Sequence, residues 1–143
     1  MTGRVIESPA EVRALAKAAK RVAVLGIKTE GQADQPAYYV PAYLAAAGIE
    51  VIPVPVYYPE ATAILGRPVV RRVADAPGPL DLVVVFRRPA DLEAHLSDLL
   101  AARPKAVWLQ QGIRHDGVAR ALTDAGIDVV MDRCVMVEHR AAG

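Results

Sequence analysis

The sequence is poor in the residues that build covalent or metal-centred chemistry. Its 143 residues include one cysteine, Cys134, and three histidines. A single cysteine excludes an intrachain disulfide and fits a reducing compartment. His95 and His115 stand without a second His or Cys at metal-ligand spacing, so no metal site is expected. Cys134 is near His139 in sequence, but a nucleophile also needs a base within reach and a third group to orient that base. Asp132 and Glu138 form no recognisable acid–base pair. Cys134 therefore reads as a buried, inert thiol, and no catalytic residue is assigned.

Charge of one sign is lacking too. Lys and Arg number 17 against 16 for Asp and Glu, a net charge of +1, which excludes the electrostatic footprint of a nucleic-acid or anionic-membrane binder. No run approaches the roughly 20 apolar residues that cross a bilayer. The segment Met1–Pro9 also lacks the apolar stretch of a signal peptide. The expectation is a cytoplasmic protein with a small-molecule ligand, without nucleic-acid or membrane partners. Its protein partner is unassigned, and homo-oligomerisation is open.

What is present is the balance of a packed chain: 53% hydrophobic and 23% charged residues, enough for one domain over residues 1–143. Ser8-Pro9-Ala10-Glu11 is a helix start, with a capping Ser, Pro at the first position and Glu three residues after the cap; the helix runs to about Lys20. Apolar runs at Arg21–Gly26, Glu50–Val54, Asp81–Phe86, Ala106–Leu109 and Asp128–Met131 read as buried strands. Pro53 and Pro55 mark the end of the second. Helical patterns occupy Ala37–Ala47, Pro89 to about Ala102, and Gly117–Ala125. Tyr57–Pro79 is irregular, with a short strand or turn at Pro68–Val70. This alternation defines an α/β class: a Rossmann-like, doubly wound parallel sheet in a three-layer αβα arrangement.

Ligands of such sheets bind beyond the carboxyl ends of the strands, near the switch in strand order. That rule selects Gly26–Gln35, Pro53–Tyr58, Phe86–Pro89, Gln110–Arg114 and Asp132–Cys134. The dinucleotide fingerprint fails here. In Gly26-Ile27-Lys28-Thr29-Glu30-Gly31, Lys28 stands where a second glycine should be, and prolines replace the acid expected after the second strand. Gly26 serves either a phosphate loop or a tight turn. Lys28 is a phosphate cation or a solvated loop lysine. Phe86 stacks on a nucleotide or closes the core beside Arg87 and Arg88, either of which can meet phosphate. The amides near Gln110, Gln111 and Gly112 reach a polar ligand or cap their own loop. Trp108 reads as core.

These segments together resemble the CoA-binding protein family, the stand-alone relatives of the N-terminal domain of the succinyl-CoA synthetase alpha subunit. The resemblance rests on Val22–Gly26, Gln35–Leu44, Val51–Val54, Leu65–Arg67, Asp81–Pro89, Ala106–Gln110 and Val129–Cys134. It covers roughly residues 10–140. The ordered set V-F-R-R-P, V-W-L-Q and M-D-R-C carries most of it. The resemblance implies coenzyme A or an acyl-CoA as ligand. Gly26, Ile27, Lys28 and Thr29 with Pro36, Ala37 and Tyr38 would hold the pyrophosphate, and Pro53 and Val54 would flank the adenosine. Phe86 and Arg87, followed by Arg88, would border the cleft, with Gln110 and Gly112 near the pantetheine arm. Three positions depart from the family pattern: Lys28 replaces a hydroxyl residue, Gln35-Pro36-Ala37 stands for Arg-Pro-Ser, and Tyr57 occupies the place of a basic residue. Arg71 and Arg72 are candidates to replace the lost contact to the ribose 3′-phosphate. The synthetase's phosphohistidine domain has no counterpart, so ligase activity does not carry over and the implied role is a non-catalytic carrier, sensor or regulatory module. Two other functions stay open: an NADP-dependent oxidoreductase with a degenerate phosphate loop, and a protein-interaction domain whose nucleotide site has decayed.

Overall fold

Ser8 opens the first helix, α1 (Pro9–Ala18), its hydroxyl accepting the Glu11 N–H at 3.5 Å. The computed structural model describes residues 2–143. Five strands form one parallel sheet: β1 (Arg21–Leu25), β2 (Glu50–Val54), β5 (Leu82–Val85), β6 (Ala106–Leu109) and β7 (Asp128–Val130), in the spatial order β2-β1-β5-β6-β7. Between β2 and β5 the chain forms a small antiparallel hairpin, β3 (Ala63–Ile64) and β4 (Arg67–Pro68), where a short strand or turn was expected at Pro68–Val70. The remaining helices are α2 (Pro36–Ala46), α3 (Leu96–Ala102), α4 (Asp116–Asp124) and α5 (Val135–Ala141).

Strands buried on both faces explain the continuous apolar runs. Alternate residues feed two cores. Val22, Val24, Leu82, Val84 and Trp108 face Val12 of α1, Val40 and Leu44 of α2 and Val135 of α5. Leu25, Val83, Val85, Leu109 and Val129 face Leu99 of α3 and Leu122 of α4. Each fully buried Val or Leu stabilises the fold by about 1.5–3 kcal/mol. Trp108 is fully buried, and its indole N–H donates to the Arg133 carbonyl at 2.8 Å.

Three boundaries differ from the sequence expectations. Pro53 lies inside β2 rather than ending it. β2 is an edge strand; the neighbouring Val54 carbonyl accepts the N–H of Gly26, just past the end of β1, at 2.9 Å, while the Pro53 carbonyl turns outward to accept Val70 N–H at 3.0 Å. The missing proline N–H thus points away from the ladder. The helix expected from Pro89 is two short 3₁₀ turns, Pro89–Asp91 and Glu93–His95, before α3. Tighter i→i+3 bonding (Asp91 N–H to Arg88, Leu92 to Pro89, His95 to Leu92) sets Asp91 beneath two arginines and turns His95 toward the sheet edge. Finally, α5 follows β7 where no helix was expected; Val135, Glu138 and His139 are its buried face, at i, i+3 and i+4. No helix among the described residues is long and apolar enough to cross a membrane.

Candidate functional site

The connection after β1 crosses to α2 on one side of the sheet, while the connection after β5 leads to α3 on the other. The switch in strand order therefore falls between β1 and β5. Two adjoining clefts open there. The larger, about 530 Å³, runs from Lys28 and Pro36 past Phe86 and Arg87 to Gln110, Gly112 and Cys134. The smaller, about 210 Å³, lies between Gly26, Val56, Tyr57 and Tyr58 on one side and Arg88 on the other. Lys28, Ala37, Phe86, Arg87 and Arg88 line both.

Gly26 fixes the width of the gap. Its φ is +86°, and a side chain there would place Cβ 2.4 Å from the Phe86 carbonyl oxygen and 3.3 Å from Arg87 Cδ. Only glycine accommodates both the dihedral and the approach. The tight turn and the cleft-lining loop are thus the same structure: the missing side chain lets the Arg87 stem lie across the end of β1.

The loop after Gly26 is tied to the start of α2 by an exchange that begins at Pro41. Proline within a helix has no N–H for the carbonyl four residues earlier. The freed carbonyl is that of Ala37, and it accepts the Lys28 N–H at 3.1 Å. The Lys28 ammonium in turn donates to Gln35 Oε1, holding the cation at the first turn of α2. Thr29 is engaged locally, its hydroxyl donating to Gln32 Oε1 at 2.8 Å.

Of the residues singled out from sequence, Gly26, Lys28, Pro36, Ala37, Tyr57, Phe86, Arg87, Arg88, Gln110 and Gly112 line the clefts. Ile27 does not: at 1% exposure it belongs to the core. Pro53 and Val54 are likewise buried within β2, and Thr29 and Tyr38 lie outside the lining. Tyr38 turns from the cleft toward the core and Glu30. Burial, then the Glu30 charge, raises its phenol above the ordinary value. Tyr39 and Val40 take its place in the lining. Helical spacing supplies that signal, since positions three and four beyond Pro36 share its face while Tyr38 does not.

The proposed substitutes for the Tyr57 position are elsewhere. Arg71 donates to the carbonyls of Tyr58, Pro59 and Ala61 at 3.1, 3.2 and 2.7 Å, and so staples its own loop. Arg72 faces Asp98 at 3.9 Å. The cation beside Tyr57 is Arg87, whose guanidinium carbon sits 5.4 Å from the Tyr57 ring centre and whose Nη1 donates to the phenol oxygen at 3.4 Å.

Cys134 is partly exposed and lines the larger cleft, contrary to the buried thiol expected. Gln110, 4% exposed, accepts the Val135 N–H at 2.9 Å through Oε1 and places its amide nitrogen 3.6 Å from the Cys134 sulfur. His139 does not serve that thiol; its Nδ1 is hydrogen-bonded to the Tyr43 hydroxyl at 2.8 Å. His115 caps α4, accepting the Val118 N–H at 3.0 Å. Among the described residues no group of three or more His, Cys, Asp or Glu could hold a metal ion.

The cleft lining therefore contains three cations, Lys28, Arg87 and Arg88, and no carboxylate. A Rossmann-like sheet with a cationic cleft at its switch point defines a nucleotide-binding class of α/β protein. Within that class, the chain matches the CoA binding domain family over residues 20–140 and belongs to it. It is 33% identical over 132 residues to the uncharacterised YneT of Bacillus subtilis, covering 92% of this chain and 94% of that protein. A solved structure from Thermus thermophilus matches with a TM-score of 0.85 at 42% identity, covering 96% of this chain and 100% of that one. A second, a hypothetical protein from Pyrococcus horikoshii, matches with a TM-score of 0.83 at 26% identity, over 95% and 92% of the two chains.

Proposed function

We propose that the protein binds coenzyme A or an acyl-CoA in the cleft between β1 and β5, as a non-catalytic carrier, sensor or regulatory module. The observation that carries this reading is the charge pattern of the lining: cations at the Lys28–Arg88 end, none among the lining residues from Gln110 to Cys134. Coenzyme A has the matching asymmetry, with phosphates at one end and a neutral pantetheine arm at the other. Family membership supports the same ligand class. In this reading Lys28 and Arg87 meet phosphate oxygens by charge-assisted hydrogen bonds, Arg88 adds positive charge at the rim, Phe86 and Tyr57 border the nucleotide, and Gln110 and Gly112 flank the arm. A non-catalytic role is supported by the thiol's neighbour in the cleft, which is the Gln110 amide rather than an imidazole.

Calorimetric titration of the folded protein with CoA, acetyl-CoA and NADPH tests the proposal. CoA or acetyl-CoA is expected to give saturable heat and to raise the melting temperature, because a ligand that binds only the native state stabilises it. Heat with NADPH alone, or with none of the three, would overturn it.

A further inference from the structure

Behind the cleft, Arg87 is gripped by a side chain that lines neither opening. The Arg87 side chain is 14% exposed, and its Nε donates to His95 Nε2 at 3.1 Å. Its other contacts are looser: 3.4 Å from Nη1 to the Tyr57 hydroxyl, and 3.7 Å from Nη2 to Asp91 Oδ2. That same carboxylate oxygen also accepts from Arg88 Nε at 2.9 Å, so Asp91 is shared between two cations and lies closer to Arg88. The imidazole is thus the nearest polar partner that fixes the Arg87 fork. An imidazole accepts a hydrogen bond only through an unprotonated nitrogen; once protonated, both ring nitrogens are donors and the ring carries the same charge as arginine.

We infer that His95 is a positioning residue for the anion site: its neutral imidazole holds Arg87 in the cleft, and protonation releases Arg87 and weakens the grip on an anionic ligand. The inference rests on the CoA reading above for the ligand, but the His95–Arg87 couple stands on its own contact.

The surroundings favour the neutral ring. Burial first, and then the Arg87 charge, hold the imidazole below its ordinary value, while Asp98 and Asp91 pull it back up. Asp98 is itself engaged, accepting the N–H groups of Val73 and Ala74 at 2.8 Å each and facing Arg72 at 3.9 Å. With the neutral form favoured, the arrangement persists through neutral pH and is lost only on acidification past a value held below that of an ordinary histidine.

The test compares the CoA dissociation constants of the wild type, His95→Gln and His95→Leu. A glutamine keeps a carbonyl acceptor but does not titrate; a leucine removes the acceptor. The 3′-phosphate of CoA itself gains a proton near pH 6, which affects all three proteins alike. Near pH 8 the Gln variant is expected to bind within about twofold of wild type and the Leu variant about tenfold more weakly. Near pH 5 the wild type is expected to lose about fivefold more affinity than His95→Gln. Parallel pH profiles for wild type and Gln, or equal affinities for Gln and Leu at the higher pH, would overturn the positioning role. The Arg87 Nε–H nuclear magnetic resonance, assigned by its loss in Arg87→Lys, is a readout that needs no ligand. It is expected to shift and exchange faster as His95 protonates. If CoA binds none of the proteins while this signal still follows His95, the CoA reading falls and the couple stands. A signal indifferent to that titration would overturn the couple.

Discussion

The two edges of the parallel sheet both carry charged residues and use them differently. At the edge where the strands begin, charges are spent on the fold. Asp81 accepts the N–H groups of Lys20 and Arg21 at 2.8 and 3.0 Å and pairs with Lys105 at 3.1 Å; Arg21 faces Glu50 at 3.3 Å; and Asp128 accepts the Arg4 N–H at 2.9 Å. At the edge where the strands end, Lys28, Arg87 and Arg88 line open clefts that contain no carboxylate. Acids that neutralise their neighbours stabilise a structure, whereas cations in excess of the acids around a concavity raise the local concentration of an anion; Asp91, outside the lining, is shared between Arg87 and Arg88 at 3.7 and 2.9 Å and leaves the cleft net positive. One edge neutralises its charges within the fold, then, and the other keeps a net positive cleft that suits the proposed anionic ligand. Substitutions should separate the two.

The largest effect is expected where both demands meet. Gly26→Val imposes a side chain at φ +86° and against the Phe86 carbonyl. It should cost about 3 kcal/mol or more of stability and displace the Arg87 stem from the end of β1. Chemical denaturation should show a lower midpoint, and CoA binding should be lost even where the variant remains folded. A variant that binds CoA normally would break the link between the turn and the site.

Next come the separable substitutions. Arg87→Ala is expected to weaken CoA binding at least about tenfold, the loss typical of a hydrogen bond to a charged group, with a much smaller loss against pantetheine alone. Equal losses for both ligands would show that Arg87 does not define the phosphate end. Asp81→Ala should do the reverse, costing about 1–3 kcal/mol by leaving N–H groups at the start of β1 unpaired while the CoA dissociation constant holds. Burial pushes the Asp81 carboxyl up, but the N–H groups of Arg21 and Lys20, followed by Lys105, outweigh it and hold it below the ordinary value. A depressed carboxyl stabilises the fold above its unfolded value of about 3.9 and loses that contribution as pH falls through its native one. The stability gap between wild type and Asp81→Ala should therefore narrow in acid. A gap independent of pH would contradict the assignment.

This division also explains what could be read from the sequence. The sheet and most of its helices were legible because burial on both faces forces long apolar runs, and Gly26 marked the switch point because strand ends and glycine are local signals. The side chains behind the site were not. Arg87 depends on His95, which the sequence pattern places inside one long helix; two 3₁₀ turns put it at the sheet edge instead. The Lys28 loop depends on Pro41, thirteen positions away, through a carbonyl that the proline leaves free. Tyr39 rather than Tyr38 faces the cleft because a helix sorts side chains by angle, not by nearness to the loop. Arg71 resembled a phosphate ligand until the chain folded its own carbonyls around it. Local chemistry fixes which elements form; partners distant in sequence decide which side chains remain free for a ligand.

The smallest expected effect concerns Arg88, which shares the V-F-R-R-P segment with Arg87 but not its setting. Its side chain is 81% exposed and its Nε donates to Asp91 at 2.9 Å, so it lies at the rim with a partner of its own. A solvated, already paired cation gives up one interaction to gain another and is screened by salt. Arg88→Ala should therefore weaken CoA binding only about two- to threefold at low salt, less at high salt, mainly through a slower association rate. Because Arg88 lies at the rim rather than against the buried arginine's ligand face, the dissociation rate should stay near the wild-type value. Stopped-flow binding across a salt series measures both rates. A loss as large as that of Arg87→Ala, or one carried by dissociation, would place Arg88 in the phosphate contact itself and move the anion site outward from the buried arginine to the rim.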